Sequence, residues 1–143
     1  MEDVRAYLGS VKSLKSEKDS AASHIKDYEY TLYSVTGYSY SEHISGKGYV
    51  ESGLEKAVAN LLDRRSELAE KLNSYIERER NVSRLISEIQ NDNYQIILTR
   101  KYLDGLSLSA IANEMHYTVK WIKVLHLRAL QAAEEIYMTG NFT

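Results

Sequence analysis

The sequence contains no cysteine and no proline, and it has no long apolar run. Without cysteine there are neither disulfides nor thiolate metal sites, which favours a reducing cytoplasm as the location of the protein. The missing apolar run excludes a signal peptide or a membrane span, so we expect a soluble protein that does not contact membranes. The formal net charge is only −2, so any surface that attracts nucleic acid must be local.

The residues that are present favour long helices. No proline breaks a helix interior, and 27% of the residues are charged, with both signs mixed as on exposed helix faces. Two series of positions alternate steps of four and three residues, which is the spacing of a coiled-coil seam. The first series is Tyr7, Val11, Leu14, Lys18, Ala21, Ile25, Tyr28, Leu32 and Val35, and the second is Leu54, Val58, Leu61, Arg65, Leu68, Leu72, Tyr75, Glu79, Val82, Ile86 and Ile89. We therefore predict an all-α protein.

The two series predict a long, coiled-coil-like antiparallel helical hairpin over residues 1–89. Its second helix should extend from about Gly53 to Ile89. Residues 36–53 are rich in glycine, serine and tyrosine, which predicts a loop between the helices. Arg65 and Glu79 interrupt the second seam: either they are exposed to solvent, or they form ion pairs across a seam and set its register.

Residues 90–143 predict a second domain of three short helices. The polar cluster at 90–93 precedes a short apolar helix, which should stop at Asp104 and Gly105. Ser107 can cap the next helix, LSAIANEM. Thr118 can cap the last helix, which should occupy residues 118–137.

The last two helices are joined through a short corner, as in a helix-turn-helix. Ala112 supplies the small side chain that closely crossing helices need. His116 occupies the corner, where the chain would adopt a positive φ that histidine tolerates better than most residues. The spacing predicts a shared core of Ile111, Met115, Tyr117, Ile122 and Leu125. We expect Trp121, the single tryptophan, to pack as core as well, and the alternative is that it stacks on a base or contacts polymerase.

The stretch from Ile96 to Leu130, with the segment TRKYLDGLSLSAIANEM and the closing RAL, resembles region four of sigma-70-type factors. The wider chain, through GYSYSEHISGKG, VANLLDRRSEL and YLDGLSLSAIANEM, resembles the phage-encoded RinA and ArpU regulators over roughly residues 30–132. The resemblance implies binding of double-stranded promoter DNA, contact with RNA polymerase and activation of phage late genes. Sigma factors carry arginines at the start of the recognition helix, whereas this chain has Val119, Lys120, Trp121 and Lys123, so no bidentate arginine can read guanine there.

The residues predicted to contact DNA lie on the outward face of the last helix. They are Thr118, Val119, Lys120, Lys123, Val124, Leu127 and Arg128. Thr118 or the helix N-terminus could hold a phosphate, the lysines could meet phosphates or a guanine edge, and Val119 could touch a thymine methyl. His126 and Arg128 are expected either to approach phosphates from the far end of the helix or to remain in solvent.

No enzyme chemistry or cofactor is predicted. The four histidines lack metal-ligand spacing, and the glycines of SGKG lack the context of a phosphate-binding loop. Two other functions stay open beside transcriptional regulation: a small DNA-packaging subunit of the phage terminase type, and a protein that binds RNA polymerase but no DNA. In the first case the helical arm would form a ring, and for a regulator it would form a homodimer or a higher oligomer.

Overall fold

The computed structural model describes the backbone of residues 2–42, 47–140 and 142, and side chains within 3–34, 53–140 and 142. Over these residues the fold is all-α and contains no strand. Two long helices, α1 (Glu2–Glu42) and α2 (Lys47–Ser87), run antiparallel and are followed by α3 (Asp92–Leu98). A π-helical turn (Thr99–Leu103), α4 (Leu108–Met115) and α5 (Val119–Thr139) complete the chain order.

The described chain divides into two compact units, Met1–Lys15 with Ser74–Thr143 and Ser16–Asn73. The first unit contains the start of α1, the end of α2 and all of the shorter helices. Its main core is built from Val4, Tyr7, Leu8, Val11, Val82, Leu85, Ile86, Ile89, Leu98, Ala129, Leu130, Ala133 and Phe142. Five of the predicted seam positions lie in this core, so the four-three spacing is confirmed for these parts of the two helices: Tyr7, Val11, Val82, Ile86 and Ile89.

The second unit consists of the facing parts of α1 and α2. Ile25 is buried, and the Tyr28 hydroxyl donates a hydrogen bond to the Ala57 carbonyl, 3.1 Å away. Arg65 lies on α2 and forms an ion pair with Glu29 of α1 at 2.6 Å, so it pairs across the hairpin although its side chain is 54% exposed. An exposed pair of this kind contributes at most about 1 kcal/mol, so it sets register more than stability.

The predicted loop at 36–53 is too long. The structure has helix through 36–42 and again through 47–53, and the prediction for 43–46 lies outside the described residues. Glycine and serine suggested a loop, but with no proline in the segment nothing forbids helix, and each glycine costs a helix only about 1 kcal/mol. The start of α2 is accordingly Lys47 rather than Gly53.

The shorter helices begin at side-chain caps, as predicted for two of them. The Ser107 hydroxyl accepts from the Ala110 amide, and the Thr118 hydroxyl accepts from the Trp121 amide, both at 3.1 Å. Asn91 caps α3 in the same way. Each such bond satisfies one of the amides that a helix start leaves without an acceptor.

Between α4 and α5 the chain turns at His116, which has φ 59° and ψ 37°, the predicted left-handed conformation. We expect His116→Val to lower the free energy of unfolding by about 1–2 kcal/mol, because a β-branched side chain crowds the backbone in this region. The measurement is urea denaturation, with His116→Gly as the matched variant. Since glycine adopts positive φ without strain, a loss in His116→Gly as large as in His116→Val would contradict this account.

None of the described helices is both long and apolar enough to cross a membrane.

Candidate nucleic-acid interface

A small second core in the first unit holds α4 and α5 in a fixed geometry. It contains Ile97 of α3, Ile111 and Ala112 of α4, and Ile122 and Leu125 of α5, all at most 6% exposed. Met115 packs against this cluster and is partly buried, as predicted. Tyr117 was predicted to join the core, but this is wrong: it is 41% exposed, because it follows the left-handed turn and so leaves the helical periodicity.

The outward side of α5 carries the residues predicted to contact DNA. Thr118, Lys120, Lys123 and Arg128 are exposed, Val119 and Leu127 are 38% and 44% exposed, and Val124 is half-buried. The buried residues of α5 follow one helical stripe through positions 122, 125, 126, 129, 130 and 133. At 100° per residue, Lys120, Val124 and Leu127 lie opposite that stripe. Thr118 and Val119 are exposed because they lie at the start of the helix, before the core stripe begins, and we call these seven residues together the α5 surface.

The α5 surface is positively charged along its whole length. From residue 115 to residue 133 the sequence has three basic residues, Lys120, Lys123 and Arg128, and no acidic one. The two acidic residues between Arg100 and Lys120, which are Asp104 and Glu114, are both paired with Arg100. Its guanidinium lies 3.0 Å from Asp104 and 3.3 Å from Glu114. Both carboxylates therefore contact the same guanidinium, and none of the described ion pairs joins an acidic residue to Lys120 or Lys123.

Sequence reasoning missed the role of Arg100. Its partner Asp104 lies four residues away, at a spacing that brings side chains together on a helix, so this half of the bridge was detectable. Glu114 belongs to another helix, and only the folding of α4 against the π-helical turn brings it to the same guanidinium.

Trp121 is not a core residue, contrary to the prediction. It is 41% exposed, and its ring faces the guanidinium of Arg128, whose Cζ lies 5.5 Å from the ring centroid. The core stripe passes through Ile122 and Leu125, and position 121 lies about 100° away from Ile122 around the helix. The indole therefore lies on a flank of the α5 surface.

His126 was expected at a phosphate or in solvent, and both expectations are wrong. It is only 7% exposed, and its Nε2 shares a 2.9 Å hydrogen bond with the Tyr102 hydroxyl of the π-helical turn. Burial, followed by the positive charges of Lys101 and Arg5, lowers the pKa of His126 to about 4. At Nε2 a neutral imidazole can accept a hydrogen bond from the Tyr102 hydroxyl, whereas a protonated imidazole cannot. The sequence signal was its position in the apolar stripe of α5.

The lowered pKa of His126 predicts loss of stability in mild acid. Between pH 6.5 and about 4 the unfolded chain binds a proton that the folded chain does not, so the stability decreases as the pH falls through this window. We expect the free energy of unfolding to fall by about 2 kcal/mol between roughly pH 7 and pH 5 from this residue alone. Urea denaturation of wild type and His126→Gln at both pH values measures it. Equal pH dependence in the two proteins would refute the assignment.

Among the described residues no group of three or more histidine, aspartate or glutamate side chains is arranged to hold a metal ion. The α5 surface combines a helix N-terminus with flanking cations and exposed apolar side chains. No protein family, curated protein or solved structure matches this chain in comparison.

Proposed function

We propose that this protein is a phage or prophage transcriptional regulator that binds double-stranded promoter DNA through the α5 surface. The observation that carries the proposal is the pairing of α4 and α5 through a three-residue turn, with only lysine and arginine among the acidic and basic residues from 115 to 133. An α-helix fits the major groove of B-DNA, and a helix held by a second one across a rigid corner is the arrangement of helix-turn-helix proteins. The resemblance of residues 96–130 to sigma region four supports the same assignment.

In this function the residues divide by what they contact. Thr118 and the first amides of α5 face a phosphate, because helix N-termini favour anions. Lys120 and Lys123 lie about half a turn and about one and a half turns further along, and they neutralise phosphates or reach a guanine edge. Val119 and Leu127 supply apolar contacts, for which the methyl group of thymine is the matching feature of the groove.

Two copies of the chain act together in this proposal. Three cations give a single α5 surface modest affinity, and linking two such surfaces raises the effective concentration of the second. In the second unit, α2 exposes two of its predicted seam residues and a neighbouring leucine: Val58, Leu72 and Leu62 are 41%, 39% and 57% exposed. These side chains support a homodimer through the helical arm. Contact of the bound dimer with RNA polymerase would then raise initiation.

The test is selection of bound fragments from sheared genomic DNA of the phage or its host, followed by sequencing. We expect a sharp enriched site upstream of a late operon, and binding that weakens steeply with salt because cations on the protein release counterions from DNA. Sedimentation in the same buffer gives the oligomeric state. Uniform retention of all fragments would refute promoter recognition, and a ring of about eight or more subunits would favour a packaging subunit.

A second candidate is a protein-binding role for the same surface. Tyr117, Val119, Trp121 and Leu127 are each about two-fifths exposed, which is more apolar area than a purely phosphate-binding helix needs. If α5 binds RNA polymerase directly, retention of polymerase will persist at high salt, and no DNA will be retained at low salt.

A further inference from the structure

The contact between Trp121 and Arg128 holds one of the cations of the α5 surface against an aromatic ring. The two residues are seven positions apart, so they lie two turns apart on one flank of the helix, with a rise of about 10 Å between them. The guanidinium nevertheless lies 5.5 Å from the indole centroid, because long helical side chains lean toward the N-terminus of their helix. The charge of Arg128 is thereby displaced toward Lys120 and Lys123.

The stack leaves the hydrogen-bonding edge of the guanidinium unused. A guanidinium has five N–H donors in its plane, and stacking on an aromatic ring occupies only one face. Within the described part of the chain Arg128 forms no ion pair, and residues 115–133 contain no carboxylate that could supply one. The donors therefore have no carboxylate partner among the described residues, while the indole holds the guanidinium against the helix.

We propose that Trp121 is a positioning residue that holds the Arg128 guanidinium for contact with a phosphate of the DNA backbone. The inference rests on the proposed DNA binding by α5. Lys120 and Val124 lie at the centre of the outward face, whereas Trp121 and Arg128 lie toward one flank of it and Leu127 lies toward the other. A helix that enters the groove along its central line presents its flank to a groove wall, where phosphates lie. Phosphate oxygens are the acceptors that match a planar guanidinium.

The test is a double-mutant cycle on duplex binding by the full chain. We expect Trp121→Ala to weaken binding about two- to fivefold, the value of an exposed cation–π contact. Arg128→Ala should weaken binding at least as much, and it should lower the slope of log K against log salt concentration by about 0.9. The double variant should be no weaker than Arg128→Ala, because the indole acts only through the guanidinium. Trp121→Phe should retain most of the duplex affinity that Trp121→Ala loses.

Two further measurements separate this role from a structural one. Since Trp121 is exposed, Trp121→Ala should leave the urea midpoint nearly unchanged. Trp121 is also the single tryptophan, so its emission and its protection from iodide report directly on the flank when duplex is added. In Arg128→Ala the protection of Trp121 from iodide should decrease more than the duplex affinity does, because the guanidinium is the group that brings the indole to the DNA backbone.

The possible outcomes distinguish the positioning role from the proposed function. If wild type binds duplex and the Trp121 and Arg128 effects are additive, the positioning role is wrong while DNA binding by α5 stands. If Trp121→Phe binds as weakly as Trp121→Ala, stacking is not the cause of the loss, and the positioning role is again wrong. If wild type binds no duplex but retains a polyglutamate peptide through Arg128, both proposals fail and the flank belongs to an acidic protein partner.

Discussion

Replacing Ile122 with alanine is expected to lower the free energy of unfolding by about 2–5 kcal/mol. Ile122 is fully buried in the small core that joins α3, α4 and α5, so truncation leaves a cavity that its neighbours cannot readily fill. A loss of this size is a large part of the stability of a typical domain. Urea denaturation followed by the emission of Trp121, which lies on the same helix, measures the effect where it arises.

The matched control is Leu127→Ala on the outward side of α5. Leu127 is 44% exposed, so its removal should change the free energy of unfolding by no more than about 0.5 kcal/mol. A comparable loss in both variants would mean that the two faces of α5 are equally buried in solution. The division of this helix into a core stripe and a free surface would then be wrong.

Replacing both Lys120 and Lys123 with alanine is expected to weaken duplex binding roughly 10- to 100-fold near 0.1 M salt. Each phosphate contact contributes about 0.9 to the dependence of log K on log salt concentration, so removal of two should lower that slope by about 1.8. Both lysines are exposed on α5, and no carboxylate between residues 115 and 133 competes for them. Titration of a labelled duplex at several salt concentrations measures affinity and slope together.

The control for this pair is Lys56→Ala with Lys71→Ala on α2. Both lysines are exposed and belong to the second unit, so the variant removes the same net charge from a different surface. We expect it to retain nearly the affinity and the slope of wild type. If the two double variants lose affinity equally, binding responds to net charge alone, and α5 has no special part in it.

Local patterns in the sequence were sufficient wherever one element decides its own structure. The four-three spacing located the parts of α1 and α2 that enter the main core, because a helix repeats its face at that interval regardless of what covers it. The caps at Ser107 and Thr118 and the positive φ of His116 were predicted for a similar reason. Each depends on a side chain and on backbone atoms within three or four residues.

The wrong predictions concern residues whose structure depends on their surroundings in the fold as well as on their own type. Residues 36–53 contain several weak helix formers, and continuation of α1 and α2 through both ends of this segment overrides their individual preferences. Trp121 is large and apolar, yet its angle around α5 places it beside the core stripe, while the smaller Ile122 fills the core. His126 is polar, yet it lies on the stripe.

The sequence by itself therefore determined an all-α protein in which two long helices carry apolar seams and two further helices begin at side-chain caps. It also determined the positive charge of residues 115–133. Only the tertiary structure decided which polar groups meet. It placed Tyr102 opposite His126, so that the imidazole is buried with a partner, and Glu114 beside Arg100, which also pairs with Asp104. The Tyr102 and Glu114 pairs join residues 14 to 24 positions apart on different elements, and no local periodicity encodes a distance across space.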